Sequence, residues 1–230
     1  MYKKIILFSC LSLMLISCGN QSSSASANAS SNSQLTNSMG SVILRDEGAE
    51  PVIIDADKKE VIIEAIVNGK YFTNPSRHHG IVFEGGKYGD RAVLIGLSDE
   101  REVYQALIDI GAVAGNNLKL EEYTKVSKNV DGQQLDVFVT WDGLGKEIPF
   151  AEIIKSDDVR DMDIRFGGNF DAAKENRTGC ILCLDSCPIA ITSDAAYATA
   201  ELDSKKIDKF IRDDVLPKDG EKVSVIFRIK

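Results

Sequence analysis

Between Lys4 and Arg45 the chain carries no ionisable acid or base apart from cysteine, and this gap confines folding to the residues beyond it. From Gly19 to about Gly40 the stretch is rich in Ser and Asn, as in Gln21-Ser22-Ser23-Ser24-Ala25-Ser26-Ala27-Asn28. Such a segment cannot bury enough apolar surface to offset the entropy of ordering it. It reads as a flexible tether, and about 25 such residues reach roughly 25–30 Å. The charges crowd into the remainder. The 230 residues include 27 Lys+Arg and 35 Asp+Glu, a formal net charge of -8; without Lys3 and Lys4, 25 bases face 35 acids. Phosphate binding needs a basic face, so this balance excludes nucleic acid as an obvious partner. It also argues against charge-driven adhesion to anionic lipid. A hydrophobic share of 43% is enough for one ordinary core and identifies no substrate.

The start of the chain has the layout of a secretory leader: Lys3 and Lys4, then an apolar run from Ile5 to Ile16, then small residues. The run is short for a transmembrane helix, which needs about 20 residues. Leu15-Ile16-Ser17-Cys18-Gly19 resembles the lipobox of bacterial lipoproteins. The resemblance implies cleavage before Cys18 and acyl chains, palmitate among them, on that cysteine. Each buried methylene would contribute about 0.8 kcal/mol to holding the protein on its membrane. The expected organisation is a lipoprotein signal peptide over 1–17, a lipidated Cys18 with its linker over 18–47, and one folded domain over 48–230. The expected location is the extracytoplasmic side of a cell membrane.

The domain reads as α+β, with a mostly antiparallel sheet and two or three helices. Pro51–Asp55 and Glu60–Val67 are β-branched runs separated by Ala56-Asp57-Lys58-Lys59, which predicts a hairpin. Gly80–Glu84 and Arg91–Leu97 are further strands, joined through Gly85-Gly86 to Gly89-Asp90. Ser98 is the expected N-cap of a helix with Val103, Ala106, Leu107 and Ile110 on one face. Gly111 stops it. Leu135–Trp141 and Asp163–Phe166 read as strands, Phe150–Lys155 as a short helix, Ser204–Val215 as a helix with Ile207, Phe210 and Ile211 inward, and Lys222–Ile229 as a last strand.

The chemistry is concentrated in Thr178-Gly179-Cys180-Ile181-Leu182-Cys183-Leu184-Asp185-Ser186-Cys187-Pro188. On a helix, Cys180, Cys183 and Cys187 would share one face. Pro188 disfavours a helical Cys187, so a turn or a short helical stretch is expected, and either gathers the thiols. Four readings are open. The thiolates bind a metal with a fourth ligand, and thiolates select zinc or an iron–sulfur cluster. The spacing resembles the last three ligands of a bacterial ferredoxin motif, but Arg177 stands where the first ligand belongs, which favours zinc. Alternatively Cys180 and Cys183 form a redox-active pair, or a structural disulfide leaves one thiol over, or all three stay reduced and buried. His78 and His79, in Pro75-Ser76-Arg77-His78-His79-Gly80, are the candidate fourth ligand or a base for a thiol. On a strand they would point to opposite faces; in a loop both are available. Glu84-Gly85-Gly86-Lys87-Tyr88-Gly89 lacks the setting of a phosphate loop, Gly167-Gly168-Asn169 reads as a turn, and Asp157-Asp158 to Asp163 lacks calcium-loop spacing. No nucleophile elbow supports a serine hydrolase, and no catalytic motif specifies a reaction.

Several stretches together resemble the YdjY-like domain family: His78-His79-Gly80-Ile81-Val82-Phe83-Glu84-Gly85-Gly86, Ala106–Ala112, Val139-Thr140-Trp141-Asp142-Gly143, Ile164–Asn169, and Thr178 through Pro188. The likeness covers roughly Pro51 to Tyr197. It departs where Ile189-Ala190-Ile191 stands for Val-Gly-Ile and Ser193-Asp194 for Ser-Asn. The resemblance implies an exported or membrane-linked bacterial protein, in a family sometimes joined to ferredoxin-type modules, and tilts the cysteines toward redox or metal chemistry. The expectation is a membrane-anchored lipoprotein whose thiol cluster serves a membrane-linked redox protein. Its alternative is a binding or scaffolding lipoprotein whose cysteines only brace a loop.

Overall fold

The β-branched runs become strands because each has one face to bury. A computed structural model describes residues Leu35–Thr36, Val42–Ile43, Asp46 and 48–230. The leader, the lipobox and Cys18 lie outside the described residues. Within the tether-like stretch, β1 (Leu35–Thr36) and β2 (Val42–Ile43) pair with each other antiparallel. β3 (Ile53–Asp55) and β4 (Glu60–Val67) form the expected hairpin. In β4 the pleat places Val61, Ile63, Ala65 and Val67 inward, all essentially buried. β5 (His79–Phe83) and β6 (Leu94–Gly96) are the next strands, and they pair parallel. The glycine-rich stretch between them therefore closes no hairpin.

Helix α1 (Glu100–Asp109) comes next, and its N-cap is Asp99: its carboxylate accepts the Arg101 amide at 2.9 Å. The expected cap, Ser98, is buried with its hydroxyl unpartnered. β7 (Leu135–Thr140) and β8 (Ile148–Pro149) lead into a 3-10 helix, Phe150–Ile153, which takes the first four residues of the expected short helix, and β9 (Ile154–Lys155) takes the last two. β10 (Ile164–Phe166) ends at α2 (Phe170–Asn176), bracketed by left-handed Asn169 (φ 48°) and Arg177 (φ 47°). Then come β11 (Cys180–Cys183), β12 (Thr192–Asp194), α3 (Glu201–Ser204), β13 (Phe210–Ile211) and β14 (Lys222–Ile229). The helix expected over Ser204–Val215 stops after α3. Lys206 turns left-handed (φ 57°), and Lys209 exchanges backbone hydrogen bonds with Ser76 at 2.7 and 3.1 Å. Tertiary pairing there outweighs local helix preference.

The large sheet runs β10-β12-β11-β5-β6-β4-β14-β7-β8, with β3 added beside β4. Only the β5–β6 and β11–β12 pairs in it are parallel. The domain is thus α+β with a mostly antiparallel sheet and, among the described residues, three α-helices. The described residues belong to one unit, 33–230, and no helix among them is long and apolar enough to cross a membrane. The main core gathers β4, β7 and β14 with Val103 and Leu107 of α1. A second, smaller cluster joins Val82, Ala92, Ala190 and the three cysteines.

Candidate metal centre

The three cysteines sit on a strand and the loop after it, neither on a helix nor in a tight turn. A regular strand would send Cys180 and Cys183 to opposite faces. Register irregularities between Cys180 and Leu182, and again between Leu182 and Cys183, break that alternation. Ile181 and Leu182 join the main core, while Cys180 and Cys183 share the smaller cluster with Cys187. A bulged strand re-aims side chains in this way. All three are free thiols, and all are buried.

Close backbone contacts hold the strand in place. Gly179 has φ +77° and lies against Gly86, where an added Cβ would sit 2.5 Å from the Gly179 Cα. The glycine-rich turn is thus a packing surface for the start of β11. Asn169, read from sequence as part of a turn, donates its side-chain amide to the carbonyls of Cys187 and Ala190, both at 3.1 Å. At the other end of the strand the Leu184 amide donates to the His78 carbonyl at 2.7 Å.

That last bond brings His78 beside Asp185. His78 Nδ1 is 3.4 Å from Asp185 Oδ1, and the Cys183 thiol donates to the same oxygen at 3.4 Å. One ligand atom from each of His78, Cys183 and Asp185 lies within 4.8 Å of the other two. Zinc ligands at 2.0–2.3 Å in a tetrahedron are roughly 3.3–3.8 Å apart, so the two 3.4 Å separations match tetrahedral edges. Asp185 is fully buried, and its Oδ2 accepts no hydrogen bond. Burial raises the Asp185 pKa against the opposing pull of His78 and Cys183. For His78, burial opposes the charge, but the bond to Asp185 outweighs it and raises the pKa.

Cys187 joins through Cys183. The two thiols act on each other's ionisation, favouring the thiolate at Cys187 and the thiol at Cys183. The Ile189 and Ala190 amides also stabilise charge on Cys187. Cys180 has weaker support: burial, then the neighbouring Cys187, push it up to about 12 against the opposing pull of Thr178.

The two histidines part company. His79 opens β5 and packs on Tyr88, with ring centroids 5.4 Å apart. Burial, then the His78 charge, lower its pKa to about 4. Of the five ligands proposed from sequence, His78 and Cys183 converge with Asp185, Cys187 adjoins them, and Cys180 and His79 stand outside that trio. Asp185 was legible as a carboxylate inside the cysteine segment. Tyr123 had no sequence signal: its hydroxyl is 3.4 Å from His78 Nδ1, and it also lines a surface cavity of about 500 Å³ with Thr199 and Asp203.

This fold and site define a small α+β domain carrying a buried thiol and carboxylate beside a half-buried imidazole. The YdjY domain matches residues 52–228, and the chain belongs to that family. It is similar to the uncharacterized protein YdjY of Escherichia coli (strain K12), 36% identical over 182 residues that cover 79% of this chain and 80% of the relative. No solved structure matches it significantly.

Proposed function

We propose that the domain is a metal-binding module in which His78, Cys183 and Asp185, completed by Cys187, hold one zinc ion. The observation that carries this reading is the convergence of three different donor types within 4.8 Å. The unpartnered Asp185 Oδ2 supports it, since a buried carboxylate oxygen is costly without a partner. A ligand set of two sulfurs, one nitrogen and one oxygen suits zinc better than an iron–sulfur cluster, which is usually held by four cysteines. The proton shared by His78 and Asp185 is the one a cation would displace. The Tyr123 cavity is the proposed approach to the site. Metal analysis of the purified full-length protein tests this reading. Near one equivalent of zinc is expected, lost in Cys183→Ser and in Asp185→Asn. Zinc that stays with both variants, or that never binds, sinks it.

The closeness of Cys183 and Cys187, which act on each other's ionisation in one buried cluster, favours a second reading, in which this pair is oxidised to a disulfide and works by thiol exchange. Thiol titration of the unfolded domain separates the two: the metal reading expects Cys180, Cys183 and Cys187 all to react after zinc removal, the redox reading Cys180 alone.

We also propose, from the lipobox at Leu15-Ile16-Ser17-Cys18, that acyl chains on Cys18 anchor the domain at the extracytoplasmic face of a membrane, near a membrane-linked partner. Metabolic labelling with palmitate is expected to mark the protein and to fail in Cys18→Ser.

A further inference from the structure

A second cluster of buried polar groups lies outside the thiol site. Lys209, only 6% exposed, lines a cavity of about 400 Å³. Its Nζ donates to the Tyr197 hydroxyl at 2.6 Å and to the Asp158 carbonyl at 3.2 Å, and sits 4.2 Å from the Tyr197 ring centroid. The Tyr197 hydroxyl donates in turn to the Asp158 carbonyl at 2.8 Å. Asp194, 2% exposed, lines the same cavity. Its Oδ1 takes the amides of Asp163 and Ala196 at 3.0 and 2.9 Å.

Burial drives both ionisable groups toward neutrality. The Lys209 amine is lowered by desolvation against the attraction of Asp194 and Asp158, with Arg160 adding to the lowering. The Asp194 carboxyl is raised to about 6 by desolvation, with the Asp163 charge adding and Lys209 opposing. Once it gives up a proton, the amine keeps two N–H bonds for these two acceptors and one lone pair left over. The arrangement is that of an activated nucleophile beside an acid.

The walls decide what such an amine meets. Arg160 is committed to Asp158, Glu201 and the Ala196 carbonyl. With Asp158 and Asp161 on the lining, an anion is repelled. Val159, 85% exposed, and Met162 offer hydrocarbon contact at the mouth. A cavity of this size suits a small ligand.

We propose that Lys209 captures small neutral aldehydes or ketones in this cavity as imines. The amine lone pair attacks the carbonyl carbon; the C–N bond forms as the carbonyl π pair moves to oxygen. The alkoxide takes one proton from the attacking nitrogen, the Asp194 carboxyl protonates the resulting hydroxyl, which leaves as water, and its carboxylate takes back the second proton from nitrogen. The carbonyl oxygen and the two amine hydrogens leave together as water, and nothing is oxidised or reduced. The site is independent of the thiol cluster.

Propanal and cyanoborohydride, which traps the imine as a propylamine, test this on the purified full-length protein, with the modified lysines mapped by mass spectrometry. Lys209 is expected to be labelled about tenfold faster than Lys58 and Lys222, whose partners Asp55 and Glu50 keep them charged. Asp194→Asn is expected to bring Lys209 down to the rate of those two lysines, leaving them unchanged. Labelling of Lys209 in the folded wild type at or below the surface rate overturns the proposal. An unchanged Lys209 rate in folded Asp194→Asn removes Asp194 from it.

Discussion

The two ends of β11 carry the same residue type in different chemical surroundings. Cys180 lies among Val82, Ala92 and Ala190, with Glu100 near enough to act on it by charge. Burial and the Asp99 charge push Glu100 itself up to about 7. At that end burial and the neighbouring charges outweigh Thr178, which favours a thiolate. At the other end Cys183 meets Asp185 and Cys187, and Asp185 meets His78. Burial alone makes an inert thiol; burial beside groups that share protons makes a ligand set. The comparison teaches that the partners of these thiols, more than their spacing, divide chemistry from packing.

The strongest way to break the comparison is to remove one sulfur from each end. Structural zinc sites bind with about 10–16 kcal/mol, so one ligand of four contributes about 3–4 kcal/mol, several hundredfold in affinity. Cys183→Ser is therefore expected to weaken zinc binding several hundredfold in competition with a chelator, and Cys180→Ser less than about threefold. Equal losses would erase the distinction between the two ends. Next in size is the clamp that holds the loop. Asn169→Leu strands the buried carbonyls of Cys187 and Ala190, at about 3 kcal/mol of unfolding free energy in urea. The same change is expected to disturb Cys187 more than Cys180, visible as faster alkylation of Cys187 in the folded protein.

The neighbouring histidines sharpen the contrast through pH. His79, buried against Tyr88, has a folded pKa of about 4 against an ordinary 6.5. Below 6.5 the unfolded chain takes up a proton that the folded one refuses, so its contribution is intact above 6.5 and declines as pH falls toward 4. His79→Gln is expected to flatten the stability profile in that window by about 3 kcal/mol. His78 runs the other way. Its folded pKa is raised by Asp185, so its stabilisation is present below 6.5 and disappears as pH rises through the raised value. Urea unfolding of both single variants across this range separates the two slopes; slopes of one sign would contradict the assignment of Asp185 to His78 alone.

Much of the sheet was readable as periodicity. The β3–β4 hairpin and β14 arise from alternating β-branched residues, because one buried face dictates that pattern. The Ser204–Val215 segment misled because Ile207, Phe210 and Ile211 fit a helical stripe, while the pairing of Lys209 with Ser76 is invisible in local sequence. Helix α2 was missed because its boundaries are left-handed Asn169 and Arg177, which are uncommon start and stop signals. At the site, clustering of the thiols was legible from spacing. The face they share was not, since it depends on bulges against β5. Asp185 lay in view within the cysteine segment, but its pairing with His78 is tertiary, and Tyr123 reaches the site only through His78, so no spacing rule points to either contact.

The smallest expected effect tests the inert end directly. Cys180 is pushed up to about 12, so its thiol is protonated in folded and unfolded chains alike at neutral pH. Its replacement by alanine then loses only packing, about 1 kcal/mol for a small buried group. Because no proton is exchanged, that loss carries no pH slope at neutral pH, in contrast to the slopes expected from His78 and His79. Urea unfolding of Cys180→Ala at several pH values checks both statements. A loss that grew steadily with pH would mean that Cys180 ionises in the folded chain, below its unfolded pKa, and belongs with Cys183 and Cys187 as a working thiol.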